Sequence, residues 1–249
     1  MFHRQTDEQS LGAYESHIEN RQRREIHSEA ESLADTRIAH INSTARGGGV
    51  AEILVSMVPL LNDVGVDTDW QVMDAPDEFF DVTKTIHNGL QGGETDLTED
   101  MRETYRTVTV ENAEDLDERY DVIVLHDPQT LGMAPTLAER FPETALVWRC
   151  HIDLTDANPR YLEFVQSHLD PIDRAIFTLP EYGDAISGVS TDVVYPAIDP
   201  LTEKNRPVSE LSGEAAEAAA IESFPFDSNR PLMLQVSRFD PWKDPLGVI

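Results

Sequence analysis

The chain has 249 residues and a formal net charge of −28 at neutral pH, with 47 acidic and 19 basic side chains. This charge argues against nucleic acid or an anionic membrane as a partner. The single cysteine, Cys150, rules out an internal disulfide and fits a reducing cytoplasm, and no apolar run approaches the ~18 residues of a membrane span.

Apolar patterning predicts an α/β domain after a polar, charged N-terminal segment of one or two solvated helices. Short apolar strands are predicted at residues 37–43, 69–73, 121–126, 145–152, 174–179 and 192–196. Helices are predicted at residues 50–64, 79–90, 98–108, 130–140 and 159–169. Strands that alternate with helices predict a parallel sheet with helices on both faces.

The same patterns divide the chain into four parts. Residues 1–35 form a helical extension and residues 36–200 the α/β domain. Residues 201–230, which contain two prolines and an Ala/Glu-rich helix, are predicted to form a linker. Residues 231–249 begin a second domain, with a buried strand predicted over residues 232–236.

Polar residues follow three of the predicted strands. The loop with Gly47, Gly48 and Gly49 follows the first, Asp127 follows the third, and His151 lies at the carboxyl end of the fourth. Ligands of open α/β sheets bind beyond the carboxyl ends of the strands, so these groups are candidates for a common site. Each has a plainer alternative: a tight turn for the glycines, a helix N-cap for Asp127 and a structural role for His151. The histidines lack the spacing of metal ligands, so no metal is expected.

A further candidate site follows the strand predicted in the second domain. Arg238 and Lys243 lie five residues apart in a loop with a proline and a tryptophan. Two cations at the end of a strand can clamp a diphosphate. A surface loop with an ion pair to Asp240 or Asp244 is the alternative reading.

Taken in order, these stretches resemble the trehalose glycosyltransferring synthases, which are retaining glycosyltransferases of the GT-B fold. The resemblance covers about residues 37–249. It is carried by Asn42-Ser43-Thr44, Gly47 to Glu52, Phe79-Phe80, Thr83-Lys84, Ile86-His87-Asn88, His126 to Gln129, Trp148 to Asp153, Ile198 to Leu201, Glu203-Lys204-Asn205 and Ser237 to Lys243.

The resemblance implies two Rossmann-like domains, of which this chain holds the first and the start of the second. It also implies transfer of glucose from a nucleotide-diphosphate glucose to glucose, which gives trehalose with retention. Gly48 and Gly49 would approach the donor diphosphate, and Arg238 and Lys243 would clamp it. His151 would hydrogen-bond the donor glucose near the reacting carbon, and Asp127 would orient the acceptor.

The substrates are then small sugars and nucleotide sugars, with no cofactor, no nucleic acid and no membrane as a partner. Assembly is left open between a monomer and a homodimer. A retaining trehalose phosphorylase and an inactive, truncated sugar-binding domain are the alternatives. Because the second domain stops early, residues 1–249 alone are expected to show no glucosyl transfer.

Only three of the basic residues are lysines, namely Lys84, Lys204 and Lys243, which indicates a halophilic cytoplasmic protein. We therefore expect folding to require high salt. Carboxylate repulsion should fall as the screening length shrinks from about 10 Å at 0.1 M to about 3 Å at 1 M salt. Far-UV circular dichroism across a KCl series measures this, and equal helicity at low and high salt would contradict it.

Overall fold

A computed structural model describes residues 1–205, 207, 231, 233–237 and 243–248. The chain divides into two compact units, Met1–Leu201 and Thr202–Ile249. The first unit holds one seven-stranded sheet. Its strands are β1 (Phe2–His3), β2 (Arg37–Asn42), β3 (Asp67–Val72), β4 (Val122–His126), β5 (Ala145–Arg149), β6 (Arg174–Phe177) and β7 (Ser190–Val193). Its helices are α1 (Asn20–Ser32), α2 (Gly49–Asp63), α3 (Asp77–Leu90), α4 (Glu99–Glu114), α5 (Asp127–Leu131), α6 (Ala134–Arg140) and α7 (Pro159–Gln166).

The sheet has the strand order β1-β3-β2-β4-β5-β6-β7, and strands β2 to β7 run parallel. The chain first moves from β2 to β3 and then crosses to β4 on the other side of β2. This reversal is the topological switch point of a doubly wound α/β sheet, where such folds bind ligands. The predicted α/β class with a doubly wound parallel sheet is confirmed.

Helices cover both faces of the sheet, and they do so unequally. The large core packs α3, α4, α6 and α7 against Ile41, Leu125 and Trp148. On the opposite face α2 packs Leu54 and Val58 against Trp70 and Val72 of β3. In β4 the residues of the large-core face are fully buried, whereas Val122 and Val124 on the other face are half-buried. The apolar run of β4 is therefore buried completely on one face alone.

The single helix predicted over residues 130–140 is two helices, α5 and α6. The amide of Gly132 donates to the hydroxyl of Tyr105 at 2.8 Å, and that hydroxyl donates to the carbonyl of Pro128 at 2.6 Å. Pro135 then stands in the first turn of α6, where its missing N–H is tolerated. The buried tyrosine thus takes up backbone groups that a continuous helix would use.

The N-terminal segment is more than the solvated helices predicted. Phe2–His3 forms the antiparallel edge strand β1 against β3. A 3-10 helix at Leu11–Tyr14 buries both of those residues, and the carboxylate of Asp63 accepts from the amide of Leu11 at 2.7 Å. A two-residue strand has no periodicity of its own, so only its pairing with β3 reveals it.

The second unit contains a 3-10 helix at Glu203–Asn205. Residues 233–236 have no regular secondary structure, so the strand predicted over residues 232–236 is not formed in the described residues. Met233, Leu234 and Val236 are exposed, and an isolated apolar strand gains little without a neighbour to pair with. Among the described residues, no helix is long and apolar enough to span a membrane.

Helices α3 and α7 approach so closely that only glycine fits at position 89. A Cβ atom there would lie 2.2 Å from Cδ2 of the buried Tyr161. We expect Gly89→Ala to lower the free energy of unfolding by about 1–3 kcal/mol, because overpacking outweighs the gain in helix propensity. Denaturant unfolding in high salt measures the loss.

Gly49→Ala provides the matched control, since its Cβ would meet nothing within 4 Å at the start of α2. It should leave the free energy of unfolding equal or slightly higher. A Gly89→Ala protein as stable as this control would show that Tyr161 can move aside.

Candidate functional site

The candidate residues of the first unit follow neighbouring parallel strands at one edge of the sheet. The glycine loop follows β2, Asp127 follows β4, and His151 comes two residues after β5. In the register of the sheet, Leu125 lies opposite Ile41 on one side and Trp148 on the other. The carboxyl ends of these three strands therefore lie side by side, and β2 and β4 flank the switch point.

The glycine loop is anchored by side-chain hydrogen bonds at the end of β2, and the space beside its three glycines is empty. Asn42 donates from its amide nitrogen to the carbonyl of Thr44 at 2.7 Å and accepts from Nε1 of Trp70 at 2.7 Å. Gly48 has φ 89° and ψ 154°, a conformation that only glycine adopts readily. A Cβ at Gly47, Gly48 or Gly49 would meet nothing within 4 Å. The loop thus exposes backbone amides at the start of a 15-residue helix, which favours an anion.

Asp127 has a strained backbone and a half-buried side chain. Its φ is 61°, in the left-handed region, at a cost of about 1–3 kcal/mol for such a residue. Its Oδ1 accepts from the amide of His151 at 2.7 Å, and its carbonyl accepts from Nε1 of Trp148 at 3.2 Å. The N-cap of α5 is His126, so Asp127 ties two strand ends together instead of capping the helix.

Three imidazoles form a hydrogen-bonded chain at this edge. Nδ1 of His40 lies 3.0 Å from Nε2 of His126, and Nδ1 of His126 lies 3.1 Å from Nε2 of His151. The rings of His126 and His151 are nearly parallel, with centroids 5.4 Å apart. His40 and His126 are buried, and His151 is half-buried. His151 is therefore held through both its backbone and its ring.

Burial sets the protonation states of this site. It lowers the pKa of His40 and of His151 to about 4, and that of His126 well below its usual value. The positive charge of Arg149 lowers the pKa of His126 and His151 further. Burial raises the pKa of Asp127 to about 6, against the stabilising amide of His151. At neutral pH the site thus holds neutral imidazoles beside a carboxylate.

Two other chemistries are poorly supported by these residues. Cys150 is buried beside the site, and burial raises the pKa of its thiol well above the ordinary value, so it is a weak nucleophile. Among the described residues no group of three or more His, Cys, Asp or Glu side chains is arranged to hold a metal ion.

Sequence reasoning missed the roles of His126 and His40. From the sequence, His126 belongs to a stretch of the family resemblance and lacks partners for a metal, but no role in the site is predicted for His126 or for His40. The register places Val124 opposite His40, so His126, two residues further along β4, lies on the same face as His40. A strand alignment would have given this signal, but the spacing along the chain does not.

The proposed diphosphate clamp belongs to the second unit. Lys243 is exposed, and its carbonyl accepts from the side chain of Gln235 at 2.6 Å. Arg238 lies outside the described residues. The structure therefore brings Asp127 and His151 together and places Gly48 and Gly49 at the same sheet edge, while the clamp stays a prediction.

Residues 40–184 match the family model "Trehalose synthase, N-terminal domain". The chain is 42% identical to the trehalose synthase of Thermococcus litoralis over 227 residues. This alignment covers 90% of the present chain and 53% of the Thermococcus protein. It is 41% identical to the trehalose synthase of Pyrococcus horikoshii over 242 residues, an alignment that covers 96% of the present chain and 57% of the Pyrococcus protein. A trehalose phosphorylase of Pleurotus pulmonarius is 30% identical over 129 residues, or 47% of this chain and 18% of that protein. The chain spans about half the length of the trehalose synthases it matches.

The buried imidazoles predict that acid destabilises the fold. Their folded pKa values lie below the ordinary 6.5, so between about pH 6.5 and pH 4 the unfolded chain binds more protons than the folded protein, and stability decreases as the pH is lowered. The pKa of Asp127 is raised in the folded protein, so below about pH 6 the folded protein binds one proton at Asp127, which offsets one of the protons taken up by the unfolded chain. Each unmatched proton contributes a slope of about 1.4 kcal/mol per pH unit.

The test is the free energy of unfolding in urea at several pH values between 7.5 and 4.5. We expect His40→Gln to flatten the slope by about 1.4 kcal/mol per pH unit relative to the control His27→Gln, which changes an exposed position of α1. Equal slopes in His40→Gln and wild type would show that His40 is not kept neutral by the fold.

Proposed function

The chain belongs to the trehalose synthase family, and from this premise we propose that it forms the acceptor-side domain of a GT-B glycosyltransferase. The proposed reaction transfers glucose, with retention, from a nucleotide-diphosphate glucose to glucose and makes trehalose. The observation that carries the proposal is the link between Asp127 and His151 at the carboxyl edge of the sheet. It supplies a fixed carboxylate and a fixed imidazole where such folds bind ligands.

Asp127 is proposed to orient the acceptor glucose. Its Oδ1 is fixed by the amide of His151, and a carboxylate has further lone pairs for sugar hydroxyls. With a pKa of about 6 it is mostly ionised at neutral pH, when it accepts hydrogen bonds without donating them. The left-handed backbone of Asp127 supports this role, because strained non-glycine residues concentrate at functional sites.

His151 is proposed to hydrogen-bond the donor glucose near its reacting carbon. With a pKa of about 4 the ring is neutral under working conditions, so it serves as a hydrogen-bonding group and not as a stored proton. The ring of His126 and the backbone contact to Asp127 hold it in place before substrate binds. Catalysis would then depend on positioning and on stabilising developing charge.

The loop at Gly48 and Gly49 is proposed to receive the donor diphosphate. Its open backbone amides lie at the start of α2, where the helix dipole favours negative charge. Arg238 and Lys243 of the second domain are proposed to clamp the same group. The protein would need no cofactor besides its nucleotide-sugar substrate, and would work in a salt-rich cytoplasm.

A trehalose phosphorylase is the second candidate, supported by the 30% identity to the Pleurotus enzyme. Both reactions would use the same sugar-binding residues and differ in the leaving group. Supplying the second domain of a trehalose synthase and comparing a panel of nucleotide-glucose donors with glucose 1-phosphate separates them. Trehalose formed from a nucleotide donor alone supports the synthase, and trehalose formed from glucose 1-phosphate supports the phosphorylase.

In the protein completed with a second domain, His151→Ala should lower turnover by more than about tenfold. A hydrogen bond directed at the reacting sugar stabilises the transition state most, and loss of one such donor costs about 3 kcal/mol in other enzymes. His17→Ala, at an exposed position outside the site, is the control and should keep wild-type turnover. Trehalose formation by His151→Ala within about twofold of wild type would refute the role given to His151.

A further inference from the structure

The chain of three imidazoles has a consequence for the proton on His151. We propose that His126 and His40 are positioning residues that impose one common tautomer on all three rings and thereby decide whether Nδ1 of His151 donates or accepts. The proposal rests on the two ring-to-ring contacts at 3.0 and 3.1 Å. Its meaning for the sugar rests also on the proposed function.

The atoms that meet allow two arrangements of neutral rings. If Nε2–H of His151 donates to Nδ1 of His126, the proton of His126 must be on Nε2, where it donates to Nδ1 of His40. All three rings are then Nε2–H tautomers. If the direction is reversed, Nδ1–H of His40 donates to His126, Nδ1–H of His126 donates to His151, and all three rings are Nδ1–H tautomers.

Different tautomers among the three imidazoles would require a charged ring or a lost hydrogen bond. A protonated His126 would donate to both neighbours and leave His40 as Nε2–H and His151 as Nδ1–H. Burial and the nearby charge of Arg149 disfavour that cation. Two opposed lone pairs or two opposed N–H groups would leave buried polar atoms unpaired, which costs the full desolvation of each.

The hydrogen-bonded row of imidazoles leaves one nitrogen of His151 for substrate. Its Nε2 is committed to His126, so a sugar hydroxyl meets Nδ1. In the Nε2–H arrangement Nδ1 accepts a hydrogen bond, and in the other arrangement it donates one. His40, in the interior of β2, thus bears on the hydrogen bond at the sugar although it lies two rings away.

The shared tautomer can be measured without any activity. We would label the imidazole nitrogens of the 249-residue protein with ¹⁵N and record long-range ¹H–¹⁵N correlations at pH 7.5 in high salt, assigning rings by single substitution. Nδ1 of His168 lies 2.8 Å from the carbonyl of Phe164, which only accepts, so His168 supplies the Nδ1–H reference pattern.

The expected result is one neutral pattern common to His40, His126 and His151. His126→Phe keeps a ring of similar shape and removes both contacts, so the Nε2 signal of His151 should move toward that of the exposed His17. His168→Phe makes the same change at a histidine outside the three hydrogen-bonded imidazoles, and it should leave the nitrogen signals of His151 unchanged. If His126→Phe fails to fold, His40→Phe removes one contact and should shift the signals of His126.

Two results would overturn the proposal: mixed or protonated patterns among the three rings of wild type, or unchanged His151 signals in a folded His126→Phe protein. In the protein completed with a second domain, His126→Phe should lower kcat by about tenfold with little change in KM for glucose. A shared tautomer without any glucosyl transfer would leave this inference standing and refute the proposed function instead.

Discussion

The parallel pairing of β4 with β2 and β5 is the constraint on which the site depends. It brings three strand ends to one edge and places His126 on the face of His40. Successive side chains of a strand alternate between faces, so a shift of one residue would turn His126 toward the large core. Ile123 and Leu125, which are fully buried there, would then leave it. Burial of the two apolar residues therefore also holds the histidine chain in register.

The site combines buried polar groups with a strained backbone, and specific contacts offset the energetic cost of each. The imidazoles pair with one another, and Arg149 donates to the carbonyls of Phe177 and Val194. The strained backbone of Asp127 is held by contacts from Trp148 and His151. Buried polar groups without partners cost free energy, so a network that satisfies them also fixes their orientation. Such preorganisation is what transfer by positioning and electrostatics requires.

The segments at the two ends of the first unit meet near α2. Asp63, at its end, accepts hydrogen bonds from Ser10 and from the amide of Leu11. Ser56 in the same helix donates to Asp199 at 2.7 Å. Burial, and then the carboxylate of Asp199, raise the pKa of Tyr14 to about 12. These contacts join the N-terminal segment and the segment after β7 to the helix that begins at the glycine loop. The N-terminal extension is thus tied to the end of α2 that is opposite the glycine loop.

The α/β class, most strands and helices, the glycine loop, and the strand ends that carry Asp127 and His151 could all be predicted from the amino-acid sequence. These follow from local periodicity, glycine conformation and motif order, which are properties of neighbouring residues. Tertiary structure alone decided the edge strand Phe2–His3, the break before α6 made by Tyr105, and the chain through His40 and His126. Each of these depends on a partner distant in sequence, because hydrogen bonds between strands and through a buried hydroxyl arise only when the sheet and its helices assemble.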